Sequence, residues 1–151
     1  MPDQIHKYLI FSLGTSRYAL DLKHIAEVGD PPQLWPIPFS SSFYHGALNF
    51  HGDIVAALHL PSLLGLTGSN QPQKIIVLHK DIASLALLVD TVVRIVSGEE
   101  VSFKPSQKST YSAATLGLTD GEATLLDLDK LVMEADKRMR NCPLPVKTSS
   151  P

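Results

Sequence analysis

Up to residue 127, turn residues cut this chain into runs too short for an ordinary helix. The runs are strand-sized and rich in β-branched, aromatic and leucine residues: KYLIFSL (7–13), YALDL (18–22), HIAEV (24–28), FYHGALNF (43–50), DIVAALHL (53–60), KIIVLHK (74–80), LALLVD (85–90), TVVRIV (91–96), ATLGLT (114–119) and EATLLDL (122–128). The segments between them carry Gly, Pro, Asp and Ser. GDPPQLWPIP (29–38) holds four prolines and can be neither a helix nor a central strand. About nine short strands joined by tight turns point to an all-β barrel or sandwich.

Local turn chemistry pairs the runs. The short loop GTSR joins the first two into a hairpin. His51-Gly52 reads as a tight turn between 43–50 and 53–60, with glycine supplying a positive φ. DIAS joins 74–80 to 85–90, and Asp120-Gly121 joins 114–119 to 122–128. HIAEV is expected to continue in extended form, and KPSQKSTYSAA (104–114) to be a mobile loop. PSLLGL (61–66) can make one helical turn with Pro61 near its start. LDKLVMEADKRM (128–139) alone has a clear helical period, with Leu128, Leu131, Val132 and Ala135 on one face and Asp127 placed as N-cap. Residues 140–151 form a tail of disordered composition. No internal repeat is legible.

Bulk properties exclude several classes. Lys+Arg 13 against Asp+Glu 15, with no basic run, argues against nucleic-acid binding. The longest apolar stretch, 54–66, is broken by His59 and Pro61 and falls short of the ~20 residues a membrane span needs. The opening residues lack the apolar core of a secretory signal, and a single cysteine, Cys142, makes no internal disulfide, so a cytoplasmic location is the default expectation.

Catalytic motifs do not surface. GxGxxG after a strand, GxxxxGK[ST], HExxH and GxSxG are all missing, and no cofactor is implied. His45, His51, Asp53 and His59 fall close together, so a metal or small-molecule site is geometrically conceivable. The Gly52 turn breaks their register, and the plainer reading makes His51 a turn residue and His59 partly buried with a hydrogen bond. Glu99-Glu100 and Asp127/Asp129 sit where turns and helix starts place solvated acids. Cys142 has no base beside it.

Taken together, four segments in order resemble the CheW-like domain family of chemotaxis coupling proteins. YLIFSLGTSRYALDLKHIAEV (8–28) carries Tyr18-Ala19-Leu20 and Ile25-Ala26-Glu27-Val28. PIPFSSSFYHGALNFHGDIVAALHL (36–60) is similar to the family's central signature at Pro36, Pro38, Gly46, Asn49, Gly52, Ile54, Val55 and Leu60. LLVDTVVRI (87–95) resembles the family's V-D-x-V segment, and LLDLDKLV (125–132) its closing strand and helix. Three positions depart: His51 stands where the family has arginine, Ala56 where it has proline, and His59 where it has aspartate.

The resemblance implies one domain over 7–139, built of two packed SH3-like five-stranded β-barrels with a C-terminal helix. It implies a non-enzymatic adaptor that bridges the cytoplasmic tip of a chemoreceptor and the regulatory domain of a CheA-like histidine kinase, with no nucleic-acid partner and no membrane insertion. A type IV pilus array, or a sensor using His45, His51 and His59, is the alternative. The implied partner groove comprises Ile25, Glu27, Gly46, Asn49, His51, Leu85 and Leu87, with Gly46 and Gly52 shaping the backbone. The family's arginine pairs with the acid matching Glu27; a Glu27–His51 pair would be weaker, pH-sensitive and without the bidentate fork. Ile25, Leu85 and Leu87 alternate along strands and serve either core or groove. On the groove reading, Leu87→Asp abolishes partner binding without unfolding the chain.

Overall fold

A computed structural model describes residues 6–37, 43–66, 72–105 and 111–140. Eleven strands are formed among them: β1 (Lys7–Leu13), β2 (Ser16–Asp21), β3 (Ile25–Gly29), β4 (Tyr44–Phe50), β5 (Asp53–His59), β6 (Lys74–Leu78), β7 (Leu85–Val89), β8 (Thr91–Ser97), β9 (Ser102–Pro105), β10 (Ser112–Leu118) and β11 (Gly121–Leu126). Two α-helices complete the set, α1 (Leu60–Leu63) and α2 (Leu128–Arg140).

The strands form two sheets. The first runs β8-β1-β2-β11-β10-β9 and the second β3-β6-β7-β5-β4. Apart from β9 they follow one plan. In each, two antiparallel pairings lead to a parallel contact, β2 with β11 or β7 with β5, and a last hairpin follows, β10–β11 or β4–β5. A helix leaves the end of each last hairpin, α2 after β11 and α1 after β5. Where β9 covers the outer edge of β10, the edge of β4 is met by a single bridge, with Trp35 and Ala47 exchanging backbone hydrogen bonds of 2.8 and 2.7 Å. The first barrel therefore has six strands, one more than the expected five.

Each sheet buries both faces of its inner strands. Tyr8, Ile10, Ala19, Val96, Leu116 and Ala123 fill the first barrel, and Leu48, Val55, Ala57, Ile75, Val77, Ala86 and Leu88 the second. The opposite faces meet between the barrels. There Leu9, Phe11 and Leu20 pack with Leu58, Ile76, Leu85, Leu87 and Val89, and the helices add Leu60, Leu63, Leu131 and Ala135. Period-2 alternation thus sends Ala86 and Leu88 inward and Leu85, Leu87 and Val89 into the seam, which is why β7 is buried at every position.

Most local expectations are met, including the four hairpins and the helical turn at Pro61. Asp127 caps α2, its Oδ1 accepting from Lys130 N–H at 3.1 Å. Glu99 and Glu100 follow Ser97 in a capping box around a 3-10 turn, which accounts for that acid pair. Leu22–His24 is a 3-10 turn, not extended, because the Asp21 carboxylate accepts from Lys23 N–H and tightens the chain there. The expected loop 104–114 is partly strand: Lys104 and Pro105 close β9, Ser112 opens β10, and 106–110 lie outside the described residues. α2 includes Arg140, the first residue of the expected tail; residues 141–151 lie outside the described residues, as does Pro38.

Candidate partner-docking site

The β4–β5 turn is built by three neighbouring residues. His51 (φ 53) and Gly52 (φ 91) are both left-handed, as the tightest hairpin turn requires. Asn49 Oδ1 accepts from Gly52 N–H at 2.9 Å and fixes that geometry. His51 is held outward, with Phe50 edge-to-face against its ring at 4.3 Å.

β3 runs to the same end of the second barrel and brings Glu27. His51 Nε2 lies 3.7 Å from Glu27 Oε1, and both side chains are mostly exposed. The pair therefore forms, as a single long contact. Such an exposed pair is worth little in stability. Its interest is position, because it borders a cleft of about 320 Å³ between β3, the β4–β5 turn and the β6–β7 turn. Val55 and Leu78 form its apolar floor, Ala83 and Ser84 one wall, and Asp53, His79 and Lys80 the rim. His79 Nδ1 lies 3.4 Å from Asp81. Phe50 and Asp53 flank His51 in the same turn, and only folding brings His79 to them.

The other expected residues fall into two groups. Gly46 is required by its surroundings: its φ is 145, and an added Cβ would stand 2.7 Å from the Trp35 carbonyl oxygen. Ile25 is half-buried on the rim of the inter-barrel seam. Leu85 and Leu87, 6% and 0% exposed, belong to the core and not to an open groove. This corrects the expectation for Leu87→Asp as well: a carboxylate there, sealed between two sheets, would unfold the chain.

His45 and His59 lie at the far end of the hairpin from His51, so the three histidines do not converge. Along strands of this length the separation is roughly 20 Å. The His45 and His59 rings stack in parallel, 4.5 Å apart and 6° from coplanar. His59 is buried, and its Nδ1 is 2.6 Å from Ser62 Oγ. Burial, then the His45 ring, push the His59 pKa below the usual histidine value, while Asp90 opposes them.

The first barrel carries a different group at its own hairpin turn. Arg94 holds both oxygens of Asp120 at 2.9 and 3.3 Å, and Arg17 adds a third contact at 3.1 Å. The hydrogen bond from Arg94 leads in pulling that carboxyl down to about 2. A hollow of about 510 Å³ lies beside it, lined by Arg17, Tyr18, Leu64 and Leu66 among others.

The CheW-like domain model matches residues 7–136. The chain belongs to the CheW-like domain family. It is 30% identical over 131 residues to the chemotaxis protein CheW of Thermotoga maritima, covering 83% of this chain and 87% of that one. The chemotaxis protein CheW of Klebsiella aerogenes is 27% identical over 134 residues, covering 83% and 81%. The scaffolding protein TtCheW of Thermoanaerobacter tengcongensis superposes with a TM-score of 0.70 at 21% identity, over 82% of this chain and 89% of that structure, and so shares the fold. No helix among the described residues is long and apolar enough to cross a membrane.

Proposed function

We propose that this chain is a non-enzymatic coupling adaptor of a cytoplasmic chemotaxis-type signalling system, docking a chemoreceptor tip and the regulatory domain of a CheA-like histidine kinase. The observation that carries this is the family match across residues 7–136, joined to relatives that are named chemotaxis proteins and a fold relative named a scaffold. The surface assigned to docking is the end of the second barrel with its adjoining seam: Ile25, Glu27, Asn49 and His51, shaped by Gly46 and Gly52. Leu85 and Leu87 act behind it as the rigid wall. Nothing in that surface pairs a nucleophile with a base, and its chemistry is that of recognition: one open carboxylate–imidazole contact, an apolar floor and a fixed turn.

The test is a calorimetric titration of the chain against the regulatory domain of a CheA-like kinase from the same source, repeated with His51→Arg. The native chain is expected to bind. The arginine variant is expected to bind more tightly, because a guanidinium can grip Glu27 with two hydrogen bonds and hold the rim in one arrangement. Failure of both proteins to bind, with their folds intact, removes the kinase from the list of partners.

A further inference from the structure

The parallel contact inside the first sheet is short. β2 and β11 pair only at Tyr18 with Thr124 and at Ala19 with Leu125. Towards their starts the two strands share no partners: Ser16 and Arg17 pair with β1, while Gly121, Glu122 and Ala123 pair with β10. The hollow of about 510 Å³ opens in that gap. The second barrel supplies its far wall. After α1 the chain reverses at Gly65 (φ 76), with Leu66 N–H donating to the Pro61 carbonyl at 2.9 Å and Gly65 N–H to the Ser62 carbonyl at 3.1 Å. This Schellman end fixes Leu64 and Leu66, which pack half-buried against the inter-barrel core and line the hollow. The Tyr18 ring, 6.1 Å from that of Phe11, adds a third apolar surface. Walls held in this way make a preformed pocket, and its volume lies in the range of small-molecule sites, roughly 300–1,000 Å³.

The polar side of the hollow carries an excess of positive charge. Asp120 gives both oxygens to Arg94, at 2.9 and 3.3 Å. Arg17 Nη1 lies 3.1 Å from Asp120 Oδ1, yet it is buried and outside hydrogen-bonding geometry. Glu122, also on the lining, is 3.4 Å from Lys104. Three cations thus meet two carboxylates, and the cation with no hydrogen bond from that nitrogen is the one that lines the hollow. A guanidinium is a planar fork of donors that matches a carboxylate. A doubly charged anion would bring more charge than Arg17 neutralises, close to Asp120 and Glu122. A monoanion fits, and Tyr18, Leu64 and Leu66 select an apolar body for it.

We propose that the hollow between the starts of β2 and β11 and the end of α1 binds a small carboxylic acid with an apolar chain or ring, its carboxylate on Arg17 and its body against Tyr18, Leu64 and Leu66. None of these residues belongs to the surface assigned to docking. The site therefore goes beyond coupling and does not depend on it, because the test uses the chain alone.

A titration followed by backbone amide NMR shifts reads the outcome, with hydrocinnamate as the probe and hydrocinnamamide as its uncharged counterpart. The acid is expected to move the amides of Arg17, Tyr18, Leu66 and Ala123 until they saturate, and the uncharged compound to bind at least tenfold more weakly. Arg17→Gln should weaken the acid at least tenfold and leave the uncharged compound as it was. The melting temperature should hold, because the lost pair is partly open and Arg94 still grips Asp120. Leu66→Ala should weaken both compounds by a similar factor. Shifts that never saturate, or that centre elsewhere, overturn the proposal. So does equal binding of the acid and its uncharged counterpart by the native chain, or an Arg17→Gln chain that binds the acid as the native chain does. Displacement of the acid by inorganic phosphate at equal concentration overturns it too, since the site would then read charge alone.

Discussion

The hairpins β4–β5 and β10–β11 occupy matching places in the two barrels, yet they are finished with opposite chemistry. Both have a bulge near their open end, both run parallel to a neighbour on one side, and both lead into a helix. At the turn of β10–β11, Asp120 is gripped by two arginines. At the turn of β4–β5, His51 meets Glu27 through one long contact. At the helix end, Asp127 caps α2 with its carboxylate, whereas His59 makes no side-chain cap on α1 and bonds Ser62 instead. The first barrel is pinned by charges that do not change near neutral pH. The second is finished with histidines, His51 beside Glu27 and His59 beside Ser62. One barrel's turn is thus tied by a two-arginine grip, the other's by one long, open contact.

Both hairpins lean on one buried wall, and Leu87→Asp breaks that wall. Burying an unpaired carboxylate at a fully sealed position should cost more than about 4 kcal/mol. The expected result is a chain without a cooperative melting transition; a folded variant would mean the seam opens easily.

Next in size are two glycines at the hairpins' edges. Gly46→Val places a branched side chain at a left-handed φ against the Trp35 backbone, at a cost of about 2–4 kcal/mol in chemical denaturation. Gly117→Ala meets only the Ser102 hydroxyl, which can rotate away, so it should cost under about 1 kcal/mol. Equal costs would show that the Trp35 bridge is no more rigid than β9.

Acid should then separate the two helix starts. The folded-state pKa of His59 is depressed, so the unfolded chain takes up its proton first. Stability is full above the ordinary histidine value of about 6.5, falls as pH drops through it, and levels off below the depressed folded value. Melting temperatures measured between pH 7.5 and 5 should fall for the native chain and flatten for His59→Asn. An unchanged slope in that variant would place the sensitive group elsewhere.

The smallest effects belong to the turn charges themselves. Asp120 is also depressed, so its contribution is present above the ordinary carboxylate range and is lost as pH falls toward 2. Arg94→Gln should raise the Asp120 midpoint in a carboxyl NMR titration. His51→Ala should leave the melting temperature almost unchanged, since the pair it removes is open to solvent. A marked loss there would mean the contact is structural and not reserved for docking.

Much of this follows from local pattern. Tight turns with glycine, β-branched runs, the Asp127 cap and the helical period after it are decided by residues next to one another, so the hairpins and α2 are legible before any folding. The residue order of the family's signature likewise points to the Glu27–His51 contact. What the chain alone leaves open is which face of a strand is which. Leu85 and Leu87 alternate as groove or core residues would, and only the second sheet, by covering them, makes them core. The parallel contacts of β5 with β7 and β2 with β11 join distant segments and have no local signal, so the shared plan of the two barrels is invisible without them. The cleft was illegible for the same reason. Phe50 and Asp53 come from the β4–β5 turn and His79 and Ser84 from the β6–β7 turn, and turns are placed relative to one another by the packing of the sheets beneath them, not by the residues that form them.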